Sequence, residues 1–576
     1  MPSVRVLVVL ALALVLATPA AAARSPIGDA PLLSERQATR IFVAYPKVAD
    51  WLSRYPPDPT TEATYEPERR SWAVKVWSGE AGQIAEGRVG DELRVVLEAW
   101  TGPQVAWTMA RGSGTAFGGR TLNSPAVWLA FCAVFLLGLA DLRRPLSVRN
   151  LDLLVLLSFS VSLWFFNRGD VFTSVPLAYP PLAYLLGRLA WIGLRGRPPT
   201  PARPVWPVWV LAAATVFLAG FRVGLNAQSS TVIDVGYAGV VGAHRIVHGQ
   251  APYGHMPVRG ELRPCGPADA DGDVDERIQT NGRCESAVER GDTYGPVSYV
   301  PYVPAYLLFG WDGKWTNRLE AAHAVAIALD LLVLAALALV GRRFGGTRLA
   351  VTLAFAWAAY PFTQYVSSSN TQDALVPLLL LPGFWFAASP AGRGAFAALA
   401  GWTKFAPLVV APLWLTYPDA RPRLRFVAGF AAASLAAFSI LLLESDPLHA
   451  VRVFWDRTLG FQLERGSPFS IWDWGQYHAE GIPDLRVPQR ALQVLVVLAA
   501  VAVAFVPRRK SPLQLAALTG ALLVATELVL THWFYLYIPW FFPFAALALL
   551  AAPARGGGPP VPEPREPETR ELVAAG

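Results

Sequence analysis

Apolar and polar positions along this chain separate into long blocks. The first apolar run, Val6 to Ala17, follows Arg5 and ends in Thr18, Pro19 and the small residues Ala20 to Ala23. That order of basic, apolar and small residues reads as an export signal over 1–23, cleaved before Arg24. Residues 24–124 are polar and predict a small exported α+β domain. Within it, Ser34 to Trp51 reads as a helix, with Ile41, Phe42, Val48 and the adjoining Leu52 at near-helical spacing. Trp72 to Trp77, Gln83 to Val89 and Leu93 to Trp100 read as short antiparallel strands joined by tight turns, one of them Gly79 to Gly82. Gly112, Gly114, Gly118 and Gly119 form a glycine-rich link to the first long apolar block. They do not open a helix after a strand, so they make no phosphate-binding loop.

From Pro125 onward the apolar blocks have membrane-spanning lengths, roughly 17–25 residues. Eleven spans are predicted, at 125–141, 150–166, 172–194, 206–225, 319–340, 349–366, 372–388, 424–443, 489–506, 511–531 and 534–552. With the chain entering from outside, Arg143, Arg144 and Arg149, then Arg195, Arg197 and Arg203, Arg342, Arg343 and Arg348, and Arg508, Arg509 and Lys510 all fall on the cytoplasmic side. The segment 395–417 has basic residues on both flanks: Arg393 before it, Arg421, Arg423 and Arg425 after it. A straight helix would put one flank outside. A pair of short helices broken at Thr403, Lys404 and Pro407 keeps both inside and carries Lys404 toward the outer surface. Such irregular backbone is tolerated only where it is buried in protein or lines a cavity. The long polar connections, 226–318 and 444–488, both fall outside, and the tail 553–576 reads as a disordered cytoplasmic end.

Composition agrees with this division. Of 576 residues, 53% are hydrophobic and 16% charged, against about 25% charged in a soluble domain, and the mean hydropathy is +0.36. The fold class expected is therefore mainly α, a polytopic membrane helical bundle with a small exported α+β domain at its N-terminus. The net charge of +7 is explained by the loop arginines that orient the spans, so no nucleic acid is required. Three cysteines are too few for a disulfide scaffold. Cys132 lies in a span, which leaves Cys265 and Cys284 as the pair that could bridge outside the cell.

Two stretches resemble known families. In the front region, Tyr45-Pro46, Trp51-Leu52, Trp72-Ala73-Val74-Lys75-Val76 and Glu98-Ala99-Trp100-Thr101-Gly102 loosely resemble a PepSY-like domain, which implies a regulatory or binding module. Past the fourth span, Asp234 opens a stretch that includes His244, His248, Gly249, Pro252 and Tyr253, with Tyr294-Gly295-Pro296-Val297-Ser298-Tyr299 further on. This pattern resembles the GT-C superfamily of integral-membrane glycosyltransferases, and looks closest to the polyprenol-phosphate-mannose-dependent mannosyltransferases of actinobacterial envelopes. The resemblance extends over roughly 206–550, with Ser369-Asn370-Thr371-Gln372, Lys404-Phe405-Ala406-Pro407 and His532-Trp533-Phe534-Tyr535 in support. Departures from the family are the exported domain, an insertion at 261–292, and an Asp234 without an adjacent acidic partner. The resemblance implies transfer of a sugar, mannose first, from a polyprenyl-phosphate-sugar donor to an envelope glycolipid or glycan acceptor.

The chemistry assigns roles accordingly. Such a donor carries its own leaving group, so the protein must activate an acceptor hydroxyl and stabilise a departing phosphate. Asp234 is the candidate general base, a role typically worth about 10²–10⁴-fold; the alternative is a helix cap. Lys404, Arg465 and His532 are the candidate phosphate partners. Tyr253, Tyr294, Tyr299, Trp472 and Trp474 are candidate substrate contacts, although interfacial aromatics also serve as membrane anchors. The acidic run Asp269 to Glu276 lacks the spacing of an EF-hand and reads as a solvated loop with at most a weak divalent-ion site; no cofactor is otherwise expected. Two other classes compete: a transporter using the intramembrane carboxylates Asp330 and Glu527, and a non-catalytic envelope sensor using the exported domain.

Overall fold

Pro46 sets the first departure from the elements expected. The computed structural model describes residues 30–112, 117–196, 206–258, 263–264, 277–278, 283–285 and 288–551. Helix Glu35–Val43 is opened by Ser34, whose hydroxyl accepts from the Gln37 amide while the Gln37 side chain accepts from the Ser34 amide, a capping box. A second helix, Pro46–Leu52, then starts at the proline. The single helix expected over 34–51 is thus two, because Pro46 lacks an amide donor and holds Tyr45 in an extended conformation. Four antiparallel strands come next in sequence order, β1 (Thr60–Glu66), β2 (Ser71–Trp77), β3 (Gln83–Gly90) and β4 (Val96–Thr101). Strand β1 has no counterpart among the expected strands. It pairs residue for residue with β2, from Thr60 opposite Trp77 to Glu66 opposite Ser71. Val74, Val76, Ile84 and Val89 are buried in the sheet, and Ala38 and Phe42 are buried on the first helix.

The chain divides into two units: residues 1–106 with 477–481, and residues 107–476 with 482–576. The front unit therefore ends before the 124 expected, and it takes in five residues from far along the chain. Tyr55 donates to the Tyr477 carbonyl at 2.9 Å, and the Glu480 amide donates to the Arg54 carbonyl at 2.9 Å.

The larger unit is helical. Helices Pro125–Leu139, Val148–Phe166, Val171–Arg195, Val208–Ser229, Leu375–Trp385, Leu424–Phe438, Arg486–Phe505, Pro512–Val529 and Ile538–Leu550 match the expected apolar blocks to within a few residues. Glu320–Ala359 runs 40 residues, but non-helical backbone at Gly346 divides it where two separate spans are predicted. Six helices among the described residues are long and apolar enough to cross a membrane. They differ in placement: 72% of the apolar window in Pro512–Val529 is buried in protein, against 17% in Arg486–Phe505. The latter turns Val494, Leu495, Val497 and Leu498 outward, a continuous apolar face that suits lipid and not water.

The segment expected to be broken is broken. Helix Pro390–Lys404 stops at Lys404, Phe405 takes a left-handed φ of 60°, and the chain resumes in a short turn, Ala406–Val410, before helix Ala411–Thr416. Arg393, at the start of the pair, donates from Nε to the Trp414 carbonyl at 3.0 Å and from Nη2 to the Tyr417 carbonyl at 2.8 Å. One side chain thus bridges the beginning and end of the segment and closes it into a hairpin. It also corrects the reading of Arg393 as a loop charge, since it is 1% exposed and spent on carbonyls. Cys265, the acidic run 269–276, the export signal and the tail lie outside the described residues. Cys284 sits on a short strand, Arg283–Glu285.

Candidate functional site

Helix Asp234–Val247 begins at Asp234, and the residue before it, Ile233, supplies no side-chain cap. The capping role that Asp234 could have had is therefore not used. Its side chain is exposed while the flanking residues 231–233 and 235–243 are buried, and no hydrogen bond or ion pair engages it among the described residues. A turn from elsewhere holds the chain just ahead of it. The Thr231 amide donates to the Ser368 carbonyl at 3.0 Å and Ile233 to the Ser369 carbonyl at 3.4 Å. Asn370, with a left-handed φ of 52°, donates from Nδ2 to Ser230 Oγ at 2.8 Å and to the Thr231 carbonyl at 3.1 Å. A Cβ on Gly236 would lie 2.2 Å from the Asn370 carbonyl oxygen, so only glycine fits that contact. The Ser369–Gln372 motif is thus the support of the Asp234 turn.

The residue after that motif does not stand out in the sequence. Asp373 is fully buried and meets Lys404, with Nζ 3.3 Å from Oδ1. The Trp540 indole donates to the same oxygen at 3.2 Å, while Oδ2 has no partner among the described residues. Lys404 also lies 4.1 Å from the centre of the Tyr294 ring, a cation–π contact. The Tyr294 turn is seated on the end of Lys404's own helix: the Gly295 amide donates to the Thr403 carbonyl at 3.1 Å and Ser298 Oγ donates to it at 2.9 Å. A Cβ on Gly295 would come within 1.9 Å of the Trp402 carbonyl oxygen. These bonds take up carbonyls that the helix end leaves free. They explain why two distant segments converge. Burial, then the negative charge of Asp234, pushes the Tyr294 hydroxyl far above its ordinary value and keeps it protonated.

Tyr294, Lys404, Arg465 and His532 line one cavity of about 260 Å³, together with Gln462, Gln493, Thr526 and Trp540. Arg465 Nη2 lies 3.3 Å from His532 Nε2, and Ser467 Oγ lies 2.8 Å from Nδ1. A guanidinium only donates, so Nε2 accepts and the imidazole proton sits on Nδ1, toward Ser467. Burial, then the charges of Arg465 and Lys404, hold His532 well below its ordinary value. It is neutral at pH 7 and orients Arg465, which carries the charge. Arg465 Nε is buried and has no hydrogen-bond partner among the described residues. Asp234 does not line this cavity, but it lies within electrostatic reach of Tyr294 and Tyr537, which do.

The remaining predicted contacts are placed otherwise. Tyr253 is 3% exposed and donates to the Tyr294 carbonyl at 3.0 Å, so it braces the site from behind. Tyr299 is buried against Gly242 and donates to the Gly291 carbonyl at 3.2 Å. Trp472 donates to the Leu528 carbonyl at 2.8 Å and Trp474 to the Pro468 carbonyl at 2.9 Å, and neither lines the cavity. All four donate to backbone carbonyls. Glu527 is buried; its Oε2 accepts from the Trp533 indole at 3.1 Å.

Beside the polar cavity runs an apolar groove of about 400 Å³, lined by Leu408, Val409, Pro412, Val497, Ala500 and Val501 among others. The two share Gln493, Thr526 and Leu530. The groove thus joins the cavity to the outward-facing Arg486–Phe505 helix. No group of three or more His, Cys, Asp or Glu side chains among the described residues is placed to hold a metal ion. In comparison with known proteins, no family model and no curated protein matches this chain.

Proposed function

We propose that this protein is a membrane glycosyltransferase that moves a sugar from a polyprenyl-phosphate-sugar donor to a glycolipid or glycan acceptor, with inversion, on the outer face of the plasma membrane. The observation that carries this reading is the junction of a cationic cavity with an apolar groove. A lipid-linked phosphate sugar has that same division. Its phosphate suits Lys404 and Arg465, its sugar suits the hydrogen-bonding side chains of Gln493 and Thr526, and its hydrocarbon suits the groove facing the Arg486–Phe505 helix. Asp234, exposed and uncommitted at a rigidly held helix start, takes the acceptor's proton as the sugar leaves the phosphate. Tyr294 is within electrostatic reach of it and packs its ring against Lys404. A topology of eleven spans and a broken pair is part of the proposal, with these groups on one side of the bilayer, and mannose is the sugar favoured.

The transporter reading rests on Asp330 and Glu527, and it is weaker because the first of these carboxylates is already used. Asp330 is closed off by Arg222 and Trp357. Substitution of Asp234→Asn tests the proposal. In the full-length protein in lipid nanodiscs, transfer from labelled polyprenyl-phosphate sugars falls about 10²–10⁴-fold while thermal stability holds. Undiminished turnover in the folded variant removes Asp234 from the chemistry.

A further inference from the structure

The helix that begins at Asp234 ends in a second constellation with no part in the proposed transfer. His244 and His248 stand one turn apart, at i and i+4, and so share a face of the helix. Their ring centres are 4.2 Å apart with planes tilted by 42°. Each ring is held from its Nδ1 side. His248 Nδ1 lies 2.7 Å from the His244 carbonyl oxygen, which can only accept, so the proton is on Nδ1. His244 Nδ1 lies 2.7 Å from the Tyr306 hydroxyl. Neither Nε2 has a hydrogen-bond partner among the described residues. His248 is exposed and His244 half-buried, with the Trp311 ring 5.3 Å from His244 on the other side.

We propose that His244 and His248 form a binding site for a divalent transition-metal ion, of the class that prefers imidazole, such as Zn²⁺ or Cu²⁺. Imidazole ligands are characteristically fixed by a hydrogen bond from the nitrogen that does not bind metal, commonly to a backbone carbonyl or another oxygen. Both rings here have an oxygen partner at Nδ1, the His244 carbonyl for His248 and the Tyr306 hydroxyl for His244. Two nitrogens are supplied by the protein and solvent fills the other positions, as in sites that keep open coordination. The negative end of the helix dipole favours a cation there. An ion here would clamp the last turn of the helix that carries Asp234 at its first residue.

The test is a Zn²⁺ titration, by competition with a chromogenic chelator, on the full-length protein purified without a polyhistidine tag. One Zn²⁺ binds per chain in the unmodified protein and none with comparable affinity in His244→Gln/His248→Gln. Tyr306→Phe, which removes only the oxygen behind His244, weakens affinity about 10- to 100-fold. His248→Gln alone alters an exposed side chain, so a loss of binding in that variant is not a folding defect. With Cu²⁺, the spin-resonance spectrum shows coupling to two imidazole nitrogens, and to one in His248→Gln. Equal Zn²⁺ stoichiometry and affinity in the unmodified and doubly substituted chains overturns the site. None of these readings depends on sugar transfer.

Discussion

Two buried cation–carboxylate pairs sit in the larger unit, and they are built on opposite plans. Arg222 grips Asp330 through two donors, Nε at 2.9 Å from Oδ2 and Nη2 on Oδ1, while the Trp357 indole donates to Oδ1 at 2.8 Å. Nη1 goes to the Ala358 carbonyl at 3.2 Å and to Thr363 Oγ1 at 3.1 Å. Both carboxylate oxygens and three guanidinium nitrogens are engaged. Lys404 and Asp373, by contrast, meet at one carboxylate oxygen at 3.3 Å and leave the other unpaired, and Lys404 borders a cavity. The first pair is a closed joint between helices. The second keeps donors and an acceptor in reserve, at a desolvation cost that a merely structural pair has no reason to carry.

The largest effect is expected from breaking the closed pair. Arg222→Met leaves Asp330 buried without its counter-charge, which costs about 3–5 kcal/mol. Joint replacement, Arg222→Met with Asp330→Leu, removes both charges and recovers most of that loss. Thermal unfolding in detergent reads both. If the single and double variants unfold alike, the pair is not the joint described.

The open pair should respond in activity instead of stability. Lys404→Gln with Asp373→Asn keeps two neutral hydrogen-bonding groups in place, so the unfolding temperature moves little. Transfer falls about 10²–10³-fold, the usual loss when a preorganised electrostatic donor is removed. If this double variant unfolds early yet transfers normally per folded molecule, the two pairs do not differ in kind.

The contrast also explains which residues the sequence makes legible. The break at Lys404 is legible because it is local: basic flanks on both sides and Pro407 within an apolar run force a bend. His532 stands out as a polar group at the end of an apolar block, whereas Arg465 is one charge within the polar connection 444–488. Asp373 does not stand out, although it adjoins the Ser369–Gln372 motif directly, because a carboxylate after a polar run looks solvated until distant helices bury it. The same limit applies to the aromatics. Trp472 and Trp474 read as substrate contacts or membrane anchors alike, and their indole donors go to carbonyls that only the folded chain brings to them. Strand β1 escapes a pattern-based reading because Thr60 to Glu66 is nearly all polar, and its pairing is dictated by β2 beside it. Most helix positions are plain, since apolar blocks of spanning length announce themselves.

A third carboxylate, in the front unit, sharpens the comparison, because neutral donors satisfy it. Asp91 accepts from the Leu32 amide at 2.7 Å, the Leu33 amide at 2.8 Å and the Trp72 indole at 3.1 Å. Burial works against its ionisation, but the three donors outweigh it and hold the carboxyl below its usual range. Its folded pKa is thus lower than its unfolded one. The stability it contributes is complete above the ordinary carboxyl range and is lost as pH falls through the folded value. Asp91→Asn, which keeps one acceptor and loses the charge, costs about 1.5–3 kcal/mol at neutral pH and nothing further on acidification. Amide exchange over residues 30–101 of the full-length protein, measured from neutral pH down to the carboxyl range, reads both. If native protection declines with acid equally in the Asn variant, the loss belongs to other carboxylates and Asp91 is not the anchor of the chain's first described residues.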